Sequence, residues 1–215
     1  MFVGRLLLFR KIILKLKKYN AQRKFAAKLR TLTSSDLCID CGANIGDFTY
    51  RLASTGAQVI AFEPEPFAFS QLQQKVGAFP NVTLINAAVS INDGEASLYR
   101  SSGFDENPIR RSLSSSLLVE KSNVTKDNVV QVPVVNFIAF CRNLNRSIKL
   151  IKMDIEGSEV SILEAMIEDE ALLLQIDSIF VETHERKIPS TKPKVAAIRR
   201  FFAKRKKPYV NLHWH

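Results

Sequence analysis

From residue 36 onward, short apolar runs alternate with longer stretches whose apolar residues recur every three or four positions. Short apolar runs bounded by glycine, proline or acid read as strands, and the 3.6-residue period reads as helix. Strands are predicted at "DLCID" (36–40), "AQVIAFE" (57–63), "NVTLINAAV" (81–89), "IKLIKMDIEG" (148–157) and "DSIFVETHE" (177–185). Helices are predicted over residues 46–55, 66–79, 158–168 and 194–206, with a short one at "NFIAFCRNL" (136–144). "YVNLHWH" (209–215) closes as a strand. This alternation implies a mostly parallel sheet with helices on both faces.

Between the third and fourth of these strands the pattern changes. Asn92-Asp93-Gly94 is a turn signal, and "EASLYRS" (95–101) alternates like the return arm of a hairpin. Residues 101–128 are polar and serine-rich, including "SLSSSLL" (112–118), and read as a loop or lid whose Ser114, Ser115 and Ser116 can meet substrate. "VVQVPVV" (129–135) is predicted as an edge strand, because Pro133 cannot donate to a ladder. The expected architecture is one α/β domain over residues 31–215, Rossmann-like and doubly wound, with a hairpin and edge-strand insertion.

Charge divides the chain unevenly. Of 31 Lys/Arg, ten fall in residues 1–30 and ten in residues 186–215, where there is no Asp/Glu. The stretch 31–185 carries all 21 acids against 11 bases, so two basic ends flank an acidic middle despite the net +10. Phe2, Leu6, Phe9, Ile13 and Leu16 recur at helical spacing and predict a basic amphipathic helix over residues 1–30. Such a helix can dock on the protein body, lie on a membrane surface through residues 2–18, or serve as a targeting segment. No apolar run reaches spanning length. Three cysteines, an odd and sparse count, argue for a reducing compartment and a cytoplasmic protein. Cys38 and Cys41 sit three apart on a strand, so they face opposite ways and are poor joint ligands.

Open parallel sheets hold ligands beyond the carboxyl ends of their strands. The first such end is Asp40-x-Gly42-x-Asn44-x-Gly46, and the second strand ends at Glu63, 21 positions after Gly42. Glycine lets a nucleoside-bearing ligand lie against the backbone, and an acid about 20 residues on accepts hydrogen bonds from ribose hydroxyls. Asp47 stands at the helix start and disfavours a pyrophosphate there. A ligand with an ammonium group and a sulfonium cation fits better beside Asp40 and its neighbouring acids, and S-adenosylmethionine has those parts.

The successive blocks "CIDCGANIGDFTYRLASTGAQVIAFEPEP", "NAAVSINDGEASLY", "SLSSSLL", "IKLIKMDIEGSEVSILEA" and "SIFVETHE" together resemble the FkbM-type methyltransferases over about residues 36–186. The resemblance implies a class I methyltransferase fold and S-adenosylmethionine as cofactor. It implies cofactor roles for Asp40, Gly42, Asn44, Gly46 and Glu63, with Asn86 and Ala87 near the adenine. It also implies O-methylation of a hydroxyl on a small molecule or sugar. Two departures stand out: Asn136-Phe137-Ile138 replaces the family's Thr-Leu-Asp, and the chain ends near the sixth strand, an expected shortening.

A second acidic cluster, Asp154, Glu156 and Glu159, is expected to converge with Glu182 and His184 if their strands are neighbours. His184 is the expected general base because its ordinary pKa suits neutral pH, with Asp154 or Glu156 orienting the acceptor or acting instead. A divalent metal on Asp154, Glu156 and His184 is compatible with these residues but not required, and none is assigned. Two other functions compete: an RNA methyltransferase using the basic ends, and a non-catalytic, membrane-associated cofactor-binding protein. The sequence D-I-E-G stands where amine methyltransferases of nucleic acids carry N/D-P-P-Y/F, which argues against the first.

Overall fold

A computed structural model describes residues 2–112 and 115–214, with side chains described outside residues 2–14 and Arg110. The main sheet contains β1 (Leu37–Cys41), β2 (Gln58–Phe62), β3 (Val82–Ile85), β7 (Leu150–Met153), β8 (Ser178–Val181) and β9 (Tyr209–Asn211). Its order is β3-β2-β1-β7-β8-β9, and every neighbouring pair is parallel. The order reverses between β1 and β7, which opens a crevice at their carboxyl ends.

Helices cover both faces. α2 (Asp47–Ala53) follows β1, and α3 (Pro66–Val76) follows β2 with Pro66 in its first turn and Glu65 capping the Ala68 N–H at 2.8 Å. α5 (Phe137–Asn143), α6 (Glu159–Ile167), α7 (Glu170–Gln175) and α8 (Lys192–Ala203) complete the αβ units. Side chains alternate across the sheet as a period of two demands. Leu37, Ile39, Cys41, Ile151, Met153, Ile179 and Val181 enter one core, while Cys38, Leu150 and Phe180 enter the other. Cys38 and Cys41 therefore lie on opposite faces, both buried as free thiols.

The long helix α1 (Phe2–Leu29) docks through its later turns. Phe25 is fully buried against Phe48, Phe180 and Trp214, with centroids 5.8, 5.2 and 4.3 Å away. Ala21 is buried beside it, and Lys28 pairs with Asp177. Of the predicted apolar stripe, Leu16 is exposed; Phe2, Leu6, Phe9 and Ile13 lie outside the described side chains. No helix among the described residues is long and apolar enough to cross a membrane.

The insertion departs from expectation in three ways. The predicted strand 81–89 is two: β3 stays in the main sheet, and β4 (Ala88–Ser90) joins a second sheet. Asn86 marks the break, because its amide donates to the Glu63 carbonyl at 2.7 Å and anchors the bend. The Asn92–Gly94 turn makes no hairpin, since β4 and β5 (Gly94–Ser101) are separated by β6 (Val124–Asn136). β6 is accordingly central, not an edge. It runs antiparallel to β5 and parallel to β4. Pro133 is tolerated because β4 meets β6 only from Val134 to Asn136, so the proline lies just outside that ladder. The short helix α4 (Pro108–Arg111) lies in the loop between β5 and β6.

Candidate active site

Loops leaving β1, β2, β3 and β7 line a cavity at the carboxyl edge of the main sheet. Gly42, Asn44, Glu63, Ala87, Asp154 and Glu156 line it. Phe62, Val89 and Leu98 supply apolar wall, and Ser112 and Ser115 close it from the insertion. Ser114 lies outside the described residues.

Gly42 has φ +76°, and a Cβ there would overlap the Asp154 carbonyl oxygen. Only glycine allows the loops after β1 and β7 to meet. Asn44 follows in a left-handed conformation, φ +50°. Its N–H donates to Glu63 Oε2 at 2.7 Å and its amide to Ser112 Oγ at 3.0 Å. The other Glu63 oxygen accepts from the Glu65 N–H at 2.9 Å. Burial pushes the Glu63 carboxyl up to about 7, against the pull of those two N–H groups. Glu65 is committed elsewhere, capping α3 and pairing with Arg100 at 2.7 Å.

Three residues expected to touch cofactor do not line the cavity. Asp40 is fully buried, accepting from Thr49 Oγ1 at 2.7 Å and lying 3.1 Å from Lys152 Nζ. The same ammonium donates to the Gly42 carbonyl at 2.6 Å. Asp40 thus stabilises the turn from behind. Gly46 serves packing: a Cβ there would press within 2.8 Å of Leu72 on α3. Asn86 spends its amide on the bend, while the adjacent Ala87 does face the cavity.

The second cluster does assemble, though on loops rather than strand faces, since β7 ends at Met153 and β8 at Val181. His184 is 4% exposed. Its Nδ1 lies 2.8 Å from Glu159 Oε1, whose carboxylate also accepts from the Gly157 N–H at 2.7 Å. Its Nε2 faces Glu156 at 3.1 Å, Asp154 at 3.7 Å and Glu182 at 3.9 Å. Glu156 sits in a left-handed conformation, φ +58°, held by Lys121 at 2.7 Å and Lys187 at 3.2 Å. Ser116 Oγ donates to its carbonyl at 2.7 Å.

Two carboxylates perturb the expected base, His184. Burial alone would favour neutral imidazole, but the Glu156 and Glu159 carboxylates outweigh it and raise His184 to about 10. An imidazole that already carries its proton at neutral pH is a poor acceptor for another. Burial likewise opposes the charge of Glu156, yet His184 and Lys121 bring it down to about 2, a weak base. Asp154 moves the other way: burial and the nearby Glu182 raise it against the pull of Lys152 and His184. Its Oδ1 is buried without a hydrogen-bond partner.

A profile of the Methyltransferase FkbM domain matches residues 40–209. The chain belongs to the FkbM methyltransferase family. Among curated relatives, it is 26% identical to the hexuronic acid methyltransferase AglP of Haloferax volcanii over 172 residues, covering 73% of this chain and 59% of that one. It is 26% identical to the 2-O-methyltransferase NoeI of Sinorhizobium fredii over 165 residues, covering 66% and 68% respectively. A shorter stretch of 61 residues is 39% identical to the ribosomal RNA small subunit methyltransferase A of Thermotoga maritima, covering 28% of this chain and 22% of that one. The chain thus spans less than two thirds of the first and third of these relatives.

Within this FkbM domain, sequence reasoning passed over Lys152, Lys121, Thr49 and the central part of Glu159. Lys152 had a signal. A lysine inside the apolar run "IKLIKM" must find a buried partner, and β1–β7 register sets it opposite Asp40.

Proposed function

We propose that the protein transfers a methyl group from S-adenosylmethionine to a hydroxyl of a carbohydrate or related small molecule. One observation carries this reading: the Gly42–Asp154 contact joins the nucleoside-gripping turn and the acidic cluster in one cavity. Glu63 would accept hydrogen bonds from the ribose hydroxyls, with the Gly42–Asn44 backbone against the amino-acid tail and Ala87 against the adenine. Asp40, Gly46 and Asn86 shape that cradle from outside it.

In the reaction, the acceptor oxygen attacks the methyl carbon in line with sulfur. The C–S bond breaks, its electron pair stays on sulfur, and S-adenosylhomocysteine departs as a neutral thioether. The hydroxyl proton passes to Asp154, the cavity carboxylate whose proton affinity is raised. Alignment supplies most of the acceleration, and a positioned base adds about 10²–10⁴-fold. A carbohydrate acceptor is supported by the hexuronic acid and 2-O-methyltransferase relatives. A neighbouring cavity reaches Glu182 and His184 from the other side, and Lys17, Lys18, Arg186, Lys187 and Arg199 line it. Lys187 and Arg199 pair with Glu156 and Glu185, so Lys17, Lys18 and Arg186 are the cations that suit an acceptor carrying negative charge.

Incubation with methyl-labelled donor and a panel of neutral and acidic sugars should transfer label, preferentially to the acidic ones. Asp154→Asn should lower turnover by about 10²-fold or more while leaving donor affinity within a few-fold. Failure of the folded protein to bind S-adenosylmethionine would end this reading.

A further inference from the structure

We propose that Asp154, Glu182 and His184 form a binding site for one divalent first-row transition cation. One atom from each of these residues lies within 4.8 Å of the others. A cation about 2.1 Å from each ligand holds neighbouring donors about 3.0–3.4 Å apart and opposite donors about 4.2 Å apart. The observed separations from Nε2, 3.7 Å to Asp154 Oδ1 and 3.9 Å to Glu182 Oε1, fall inside that span.

The histidine itself points to a ligand. It is 4% exposed, and its Nε2 makes no hydrogen bond although it is aimed between the two carboxylates. Asp154 Oδ1, the atom facing it, has no hydrogen-bond partner either. Buried polar atoms left in this state are costly unless something bridges them. Meanwhile Nδ1 is fixed by the buried Glu159 carboxylate at 2.8 Å. A carboxylate on the far nitrogen is the arrangement that orients metal-bound imidazoles and strengthens them as ligands, and the cation would displace the proton that Nε2 otherwise carries. Glu156 is near but already held by Lys121 and Lys187, and its 3.1 Å approach to Nε2 makes no hydrogen bond. The third ligand is Glu182, whose carboxylate oxygen groups with the donor atoms of Asp154 and His184.

One nitrogen and two carboxylate oxygens suit Mn²⁺ or Zn²⁺, and three protein ligands leave positions open. Asp154 borders the cofactor cavity, whereas Glu182 and His184 border the basic cavity. The cation would stand where the two meet. Its further role rests on the methyltransferase reading: it would bind the acceptor hydroxyl and make it more acidic. The released proton would leave to solvent water through the basic cavity, and the oxygen would then attack the methyl carbon as before.

The test is direct binding to the full chain after dialysis against EDTA. Loss of the six-line Mn²⁺ resonance on titration should report one site per chain. Glu182→Gln should weaken it at least tenfold, and Glu159→Gln, which neutralises the carboxylate that orients the imidazole and also accepts from the Gly157 N–H, by roughly 10–100-fold. Circular dichroism of both variants shows that they fold, and the second reports on the site even if the first does not. A Mn²⁺ spectrum unchanged by excess protein, or equal affinity in wild type and both folded variants, would overturn the site. Undiminished methyl transfer in EDTA would overturn its role. Donor binding measured by calorimetry in EDTA separates the two claims. If it persists while Mn²⁺ binding is absent, only the metal proposal falls; if it is absent while Mn²⁺ binds, only the methyltransferase reading falls.

Discussion

Donor binding should release a proton near neutral pH, and Glu63 is the source. Its carboxyl is raised by burial to about 7 in the empty protein. Ribose hydroxyls donate to the ionised form, so only that form binds well. Observed affinity then scales as 1/(1 + 10^(pKa − pH)), which is about elevenfold below its limit at pH 6 and within about 10% of it at pH 8. The expected change is roughly tenfold, or about 1.4 kcal/mol, with about half a proton released per donor at pH 7. Calorimetry in two buffers of different ionisation enthalpy reads both quantities. Glu63→Gln should abolish the pH dependence and weaken binding by about 1.5–3 kcal/mol, the worth of a hydrogen bond to a charged group. The amide is a poor substitute for a specific reason. Both oxygens of Glu63 accept from backbone N–H groups, so either rotamer sets an NH₂ against one of them. The same shift has a stability consequence. A folded-state pKa above the ordinary 4.5 means that the empty protein loses stability as pH rises from about 4.5 through 7, by about 3 kcal/mol for that difference of about 2.5. Affinity that stays constant from pH 6 to 8 would refute the ribose role of Glu63.

Two further outcomes test the supports of the site. Lys152→Met strands the buried Asp40 charge and should cost about 3–5 kcal/mol in urea unfolding, with donor affinity falling as the Gly42 turn loosens. Phe25→Ala empties the aromatic cluster under α1 and should cost about 3–5 kcal/mol by the same measurement; a loss under 1 kcal/mol would mean that α1 does not dock there.

The parts of this protein that obey a local rule were readable from its residues. The alternation of strand and helix, the glycine turn and the acid closing β2 each rest on a short pattern, and each falls where expected. What escaped depends on distant partners. Nothing within "NVTLINAAV" shows that Asn86 will bind the backbone of Glu63 and send Ala88 to another sheet. Pro133 marks an edge by the usual rule, yet only the short reach of β4 decides its place. His184 has a convenient proton affinity in isolation. The Glu156 and Glu159 carboxylates, one on the loop after β7 and the other opening α6, raise it against the pull of burial.

The close approach of Gly42 to Asp154 bears on how such a domain can change its acceptor without losing its chemistry. Main chain touching main chain acts as a fixed stop between donor pocket and reacting centre, and no side-chain substitution elsewhere resets it. Residues of the insertion such as Ser115 and Leu98 can therefore be exchanged to admit a different molecule while that stop stays in place.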